Sequence, residues 1–140
     1  MAIDGTPVIE GLFSQTDQGA RLLGSRCATC DTAYFPRSEL CHNPDCDHSD
    51  MSDSSFGPRG VLWSYSVQNY PPPPPARFDE PYVPYALGVV DLTDGLRVVG
   101  RMTVDDPNLL TVGGDVELVL GVIYHDDDDT PRSSWMFQPV

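Results

Sequence analysis

The chain contains 140 residues, of which 40% are hydrophobic, and its 21 acidic and eight basic side chains give it a net charge of −13. A chain of this length makes one domain or two small ones, and none of its apolar runs reaches the ~20 residues that a membrane-spanning helix needs. The basic residues are all arginine and are scattered along the sequence. The charge therefore disfavours nucleic acids and membranes and favours a protein partner with a basic face.

The first 20 residues are a polar lead-in. We expect a short helix over residues 7–18, although Gly11 and Gly19 weaken the helical pattern. The segment MAIDGTPVIEGLF lacks the basic and apolar regions of a signal peptide. We therefore expect a cytoplasmic protein with reduced cysteines, which favours metal binding over disulfides.

All four cysteines lie within residues 27–46, in two pairs with two and four residues inside the pairs and ten residues between them. A two-residue gap lets one tight turn present both sulfurs, and the spacer is long enough for a hairpin that closes the second pair over the first. The sequence therefore predicts a zinc ribbon over residues 21–50 that binds a structural Zn²⁺ ion through Cys27, Cys30, Cys41 and Cys46. Four thiolates saturate tetrahedral zinc, so no catalysis is expected at the metal.

Three alternatives to this site remain open. Iron fits the same four thiolates in a rubredoxin-like centre, and four thiols without a metal are also compatible with the sequence. His42 and His48 flank the second pair and are substitute ligands, although histidines in such positions are commonly exposed loop residues.

Residues 47–60 have the composition of a polar linker, and residues 51–140 are predicted to form a single β-domain. Alternation of apolar and polar residues begins after Gly60, and it predicts a strand with one packed face formed by Val61, Trp63, Tyr65 and Val67. Further strands are predicted over residues 85–92, 96–102, 112–125 and 135–140, with an Asp-Gly hairpin turn after the first of them.

A helical turn is predicted over residues 105–110, where Asp106 is placed to cap it and Pro107 occupies the first helical position. This turn falls between the third and fourth predicted strands, as it does in an oligonucleotide-binding (OB) fold. The predicted fold class is therefore mainly β, with an N-terminal rubredoxin-like zinc ribbon followed by a five-stranded OB-fold barrel.

No residue is predicted to be catalytic. His125 and Asp126 resemble a base and its orienting acid, but neighbours on a strand point to opposite faces. The acidic run of residues 126–129 is a candidate cation site, although such runs are usually solvated loops.

Five aromatic residues admit two interpretations, a stacking platform for single-stranded nucleic acid or a set of core and interface residues: Trp63, Tyr65, Tyr70, Tyr82 and Tyr85. The second is favoured, because nucleic-acid phosphates would face an acidic protein. The segment of residues 71–85, PPPPPARFDEPYVPY, is long for a loop inside a compact domain. We expect it to contact a protein partner or to line a substrate channel.

The order of these features resembles the DUF35 family, small proteins in which a rubredoxin-like zinc ribbon precedes an OB-fold. The resemblance extends from about residue 12 to residue 139 and rests on RLLGSRCATC, AYFPRSELC, GVLWSYSVQNY, PYVPYALGVVDL and VGGDVELV, in that order. Two features depart from the family pattern: the polar segment SQTDQG, where a fuller amphipathic helix is usual, and the four-residue gap of the second cysteine pair.

The resemblance implies a function. Members of the family accompany thiolase-like, lipid-transfer-type proteins, and in steroid side-chain degradation such a partner cleaves a β-hydroxyacyl-CoA by retro-aldol chemistry. The resemblance therefore implies a non-catalytic accessory subunit that binds and stabilises a thiolase-like partner, in a heterotetramer with acyl-CoA at or near the interface. The alternative is a stand-alone module that binds acyl-CoA or single-stranded nucleic acid. No substrate-binding residue is identified from the sequence.

Overall fold

The structure is a computed structural model, and it describes residues 6–104 and 106–140. The strands in these ranges form two β-sheets. The strands are β1 (Thr6–Pro7), β2 (Phe13–Thr16), β3 (Gly19–Cys27), β4 (Ala33–Tyr34), β5 (Met51–Phe56), β6 (Arg59–Gln68), β7 (Tyr85–Leu92), β8 (Arg97–Met102), β9 (Asp115–His125) and β10 (Pro131–Pro139). A 3₁₀ turn covers Pro107–Leu109. In the described ranges no helix has the length and apolar character needed to cross a bilayer.

Strands β6 to β10 form the predicted five-stranded barrel. β6, β7 and β8 are a consecutive antiparallel meander, β9 pairs with β6, and β10 closes the barrel by pairing antiparallel with β9 and parallel with β8. The 3₁₀ turn lies between the third and fourth barrel strands, and the Asp106 carboxylate accepts a hydrogen bond from the Asn108 N–H at 2.9 Å. The predicted cap and its position in an OB-fold are thus confirmed, while residue 105 lies outside the described residues.

The predicted packed face of β6 is wrong in its first half. Leu62 is buried, at 1% exposure, whereas Val61 and Trp63 are 37% and 53% exposed. The register between β6 and β7 shifts between Leu62 and Ser64, which makes Trp63 the extra residue of a β-bulge. A bulge reverses the alternation of side chains beyond it, and Tyr65 accordingly packs against the core as predicted.

The N-terminal sheet is organised around β3, which pairs antiparallel with β2, β4 and β5. The helix expected over residues 7–18 is not formed, because Phe13–Thr16 is a strand that turns back into β3 at Gly19, whose φ is +108°. Glycine adopts this left-handed backbone without strain, so Gly19, which weakens a helix, serves the hairpin. Residues 1–5 lie outside the described residues.

The expected polar linker over residues 47–60 contains a strand. β5 pairs with β3 from Met51, opposite Cys27, to Phe56, opposite Leu22. Most of its side chains are polar and at least partly exposed, and only Phe56 is fully buried, so the apolar pattern of a strand is missing. The domain limits at residues 20 and 50 stay predictions.

A continuous core connects the two sheets. Phe13, Leu22 and Phe56 of the N-terminal sheet belong to the same buried cluster as the barrel residues. Trp135 of β10 packs edge to face on the rings of Phe13 and Phe35, with centroid distances of 6.2 and 5.3 Å. Because of these contacts, a change in the N-terminal sheet should also affect the barrel.

Candidate metal centre

The four cysteines come from two separate turns. Cys27 ends β3, and Cys30 follows in a turn in which the Asp31 N–H donates to the Cys27 carbonyl at 2.7 Å and the Cys27 N–H donates to the Thr32 carbonyl at 3.0 Å. Asp31 has a φ of +64°, a conformation that aspartate tolerates better than most residues and that suits the place where glycine is usual. Cys41 lies in the loop between β4 and β5, at residues 35–50.

The second pair is closed by a turn of its own. The Cys46 N–H donates to the Asn43 carbonyl at 3.0 Å, and the Asn43 side chain accepts from the Asp45 N–H, also at 3.0 Å. These bonds accommodate the four-residue gap, which is wider than in most ribbons. The gap departs from the usual spacing, but the Cys46 sulfur still lies 3.8 Å from that of Cys27.

All four sulfur atoms lie within 4.8 Å of one another. The Cys30 and Cys41 sulfurs are 3.5 Å apart, and those of Cys27 and Cys46 are 3.8 Å apart. Zinc–sulfur bonds of ~2.3 Å in a tetrahedron place the sulfurs about 3.8 Å from each other. The residues present therefore fit a structural zinc ion, and the four sulfurs would complete its coordination.

The ionisation of the cluster also fits a cation. Backbone hydrogen bonds at Asp50 and Cys30 lower the pKa of Cys27 to about 6. A backbone hydrogen bond at His48 acts in the same direction on Cys46, but burial and the neighbouring sulfurs raise the pKa of Cys46 to about 12. The other three sulfurs thus oppose the ionisation of Cys46, and a divalent cation at the centre of the cluster would offset that opposition.

Groups around the sulfurs hold them in place, and sequence reasoning missed these groups. The Tyr34 hydroxyl accepts from the His42 N–H at 2.7 Å and lies 3.3 Å from the Cys41 sulfur, so its own proton is available to that sulfur. The Thr32 hydroxyl lies 3.1 Å from the Cys30 sulfur. Hydroxyl groups in this position orient metal ligands. The only signal in the sequence was that both residues lie close to cysteines.

The two flanking histidines do not join the cluster. The His42 ring packs edge to face on Tyr34, with its Nε2 atom 3.3 Å from the Ser38 hydroxyl. His48 contributes its backbone carbonyl, 3.2 Å from the Cys46 sulfur, rather than its ring. The group of metal-ligating side chains found among the described residues consists of the four cysteines.

The remaining candidates from the sequence have other partners. His125 pairs with Asp79, whose carboxylate lies 2.8 Å from Nδ1, and not with Asp126, which pairs with Arg132. Within the acidic run, Asp127 pairs with Arg77 at 2.7 Å. The run is therefore held by arginines in the described structure, and its carboxylates do not gather around one point.

The five aromatic residues do not form one platform. Tyr65 packs against the core, while Trp63 and Tyr70 are exposed. Tyr82, in the loop of residues 69–84, meets Tyr85 of β7 edge to face at 6.2 Å. The five residues thus do not form a single stacking surface, and a contact of any of them with a partner stays a prediction.

The fold and the metal centre define the class of protein, which is a four-cysteine zinc ribbon joined to an OB-fold barrel. Two family models match, ChsH2 rubredoxin-like zinc ribbon domain over residues 20–52 and ChsH2 C-terminal OB-fold domain over residues 55–121. A DUF35 domain-containing scaffold protein of Methanocaldococcus jannaschii is 31% identical over 121 residues, which are 85% of this chain and 82% of that protein. The chain belongs to the DUF35 family.

Two further comparisons concern larger assemblies. A probable enoyl-CoA hydratase alpha subunit of Thermomonospora curvata is 34% identical over 98 residues, which are 70% of this chain but 28% of that protein. Among solved structures, a chain of an Ltp2-ChsH2(DUF35) aldolase matches with a TM-score of 0.59 and 29% identity, covering 85% of this chain and 84% of that chain.

Proposed function

We propose that this chain is a non-catalytic accessory subunit that binds and stabilises a thiolase-like, lipid-transfer-type partner acting on an acyl-CoA. The observation that carries the proposal is the match to a chain of an Ltp2-ChsH2(DUF35) aldolase, which extends over most of both chains at 29% identity. The scaffold-protein relative supports the same role. The proposal includes the reaction: the partner performs a retro-aldol cleavage and carries the catalytic groups.

The chemistry of the described residues supports a partner with the catalytic groups. A retro-aldol cleavage needs a base for the substrate hydroxyl and donors that stabilise the enolate. Among the described residues, His125 is engaged by Asp79, His42 lies against Tyr34 and Ser38, and the cysteines form the metal centre. His125 and Asp79 are a base and an acid in contact, but their side chains are 44% and 48% exposed, whereas stabilisation of an enolate is strongest in a site that excludes water.

The finer parts of the proposal are the substrate, the assembly and the location. Steroid side-chain degradation is proposed as the context, with acyl-CoA at or near the interface and two copies of each subunit in a heterotetramer. The enoyl-CoA hydratase relative supports an acyl-CoA context. A cytoplasmic location is also proposed, because a reducing compartment keeps cysteines available as thiolate ligands.

The experiment is co-expression of the chain with a thiolase-like protein encoded beside it. Light scattering after size-exclusion chromatography should give a stable complex with the mass of two copies of each subunit. The complex should release an aldehyde or ketone and a shortened acyl-CoA from a β-hydroxyacyl-CoA, and it should prefer a steroid side chain to a straight chain. Replacing the partner's catalytic base should abolish cleavage without dissolving the complex.

The alternative functions give different outcomes in the same experiment. A chain that stays apart from every thiolase-like protein tested, and that retards single-stranded DNA at physiological salt, would be a nucleic-acid-binding module. A chain that stays apart but binds acyl-CoA would be a stand-alone carrier. Either result would overturn the accessory role.

A further inference from the structure

A cleft lies on the outer face of the barrel, where β8 and β10 separate. These parallel strands pair only at Arg101 and Met102 of β8, and the Trp135 indole N–H spans the gap beyond by donating to the Val99 carbonyl at 2.9 Å. The loop of residues 69–84 covers the gap. Two adjoining cavities of about 230 and 250 Å³ result, and they share Phe78, Tyr85, Arg101 and Ile123 as walls.

The position of the cleft is the one from which OB-folds bind their ligands. That site uses the face of the second and third barrel strands together with the loops after the first and fourth. Here those strands are β7 and β8, and the two loops are residues 69–84 and 126–130. The loops are tied together by the Arg77–Asp127 pair at 2.7 Å, while Asp79 of the first loop pairs with His125 at 2.8 Å.

Arg101 is the distinctive residue of the cleft. Its guanidinium lies 4.1 Å from the centroid of the Tyr85 ring and donates one hydrogen bond, to the Ile123 carbonyl at 3.3 Å. Within the described residues no carboxylate lies within the 4.0 Å of an ion pair with it, unlike Arg77 and Arg97. A guanidinium has five N–H groups, so most of the donors of Arg101 have no acceptor among the described residues, and none of its unpaired nitrogens is fully buried.

Most of the remaining lining is apolar or aromatic, and the one carboxylate among the lining residues is that of Asp79, in the cavity of about 250 Å³. Leu87, Val99, Phe78 and Trp135 line the cavity of about 230 Å³ beside Arg101, and Arg77 and Ser134 also border it. Each cavity is smaller than the roughly 300 Å³ at which pockets for drug-sized ligands begin, but the two together reach that range. A stacked cation with free donors matches one carboxylate or phosphate, and the surrounding walls match an apolar body.

We propose that this cleft binds an amphipathic organic anion, with its carboxylate or phosphate on Arg101 and its apolar part between Tyr85 and Trp135. The inference goes beyond the accessory role and does not depend on it, because the site is formed by this chain alone. A polynucleotide is disfavoured by the net charge of −13 and by Asp79 and Asp127 in the loops that frame the cleft.

The chain offers its own reporter for this site. It has two tryptophans, of which Trp135 lines the cleft and Trp63 lies exposed on β6. In the zinc-loaded full chain carrying Trp63→Phe, the emission of Trp135 is followed while octanoate or octyl phosphate is added below its micelle concentration. Saturable change with either probe is expected, and the tighter of the two identifies the head group. Calorimetry gives an independent binding constant.

Three comparisons make the test specific. Arg101→Gln should weaken binding at least about tenfold, the loss expected for one charge-assisted contact. Arg97→Gln should change it by less than about twofold, because Arg97 is on the same strand but stacks on Trp63 and pairs with Asp91. Octanol, which has the tail without the charge, should bind at least about tenfold more weakly than the anions.

If Arg101→Gln does not fold, Arg101→Lys takes its place, since it keeps the charge but loses the planar fork and should still weaken binding. The proposal is overturned if fluorescence and calorimetry both show no saturable binding of octanoate and of octyl phosphate. It is also overturned if octanol binds equally well, or if the Arg97 and Arg101 variants weaken binding to the same degree. All of these measurements use the chain alone, so failure of complex formation with a thiolase-like protein would leave them unchanged.

Discussion

Replacing Cys27 by serine is the sharpest perturbation of the metal centre. Cys27 is fully buried at the end of β3, opposite Met51 of β5, and its sulfur lies 3.8 Å from that of Cys46. A structural zinc ion contributes about 10 kcal/mol or more to the folding of a small ribbon, which is comparable with the whole stability of a typical domain. Losing one of four ligands should therefore unfold the ribbon.

The assay combines metal analysis with hydrogen exchange. The purified protein should contain one zinc per chain, and Cys27→Ser should contain close to none. Amides of β3 and β5 should exchange at rates near those of an unfolded chain, and barrel amides should also lose protection because Phe56 and Leu22 belong to the shared core. His48→Ala is the matched control and should keep its zinc, since the His48 ring is not a ligand.

Two results would contradict this reasoning. If Cys27→Ser retained its zinc and the protection of β3, the four-sulfur centre would not stabilise the ribbon. If His48→Ala lost its zinc, the ring would be a ligand. Iron in place of zinc in the purified protein would leave the structural role intact but change the identity of the metal.

Three further perturbations test other parts of the fold. Gly24→Ala should destabilise the ribbon by at least about 1–3 kcal/mol in denaturant titration, because its Cβ would lie 2.1 Å from the Tyr34 carbonyl oxygen. His125→Gln should remove a pH dependence of exchange in residues 71–84, because the hydrogen bond with Asp79 raises the pKa of His125 above its ordinary value of 6.5 and lowers that of Asp79. Deleting residues 71–75 should weaken the complex with a thiolase-like partner or its activity, as measured by chromatography and turnover.

The sign of the pH effect follows from the two shifts. A raised pKa of His125 stabilises the loop fully below pH 6.5, and this contribution is lost as the pH rises through the folded-state pKa. A lowered pKa of Asp79 gives a contribution that is present above pH 3.8 and lost as the pH falls. Protection of the loop should be greatest between these two values. Protection that rises instead from pH 6 to pH 8 would contradict the assigned pair. If both complex formation and turnover were unchanged after deletion of residues 71–75, a role of the loop in the complex would be ruled out.

Sequence reasoning located the elements whose side chains alternate strongly and missed those held by backbone pairing. β7 is found at the predicted residues, and its buried side chains alternate with partly buried ones throughout. β5 was missed because its strand bonds to β3 require no apolar face. The predicted orientation of Trp63 was wrong because a bulge depends on the register between two strands. The sequence of one strand does not contain that register.

The metal centre and the cleft differ in whether they could be predicted from the sequence. The four cysteines were predictable because ligand spacing is encoded locally, within 20 residues. The cleft around Arg101 was not, because its walls come from β7, β8, β9, β10 and the loop of residues 69–84, and they meet only when the barrel closes. A lone arginine in a strand gives no signal in the sequence that it will lack a carboxylate partner.

The metal centre and the cleft are connected through one side chain. Trp135 packs on Phe13 and Phe35 of the N-terminal part of the chain, and the same indole lines the cleft and donates to the Val99 carbonyl of β8. Phe35 directly follows β4, whose Tyr34 contacts the Cys41 sulfur. Since tightly packed aromatic rings transmit displacement, we expect a bound metal to hold one wall of the cleft in place as well as the ribbon. Zinc removal should therefore alter the emission of Trp135 even where the barrel stays folded. An unchanged emission would show that the metal centre does not affect the cleft.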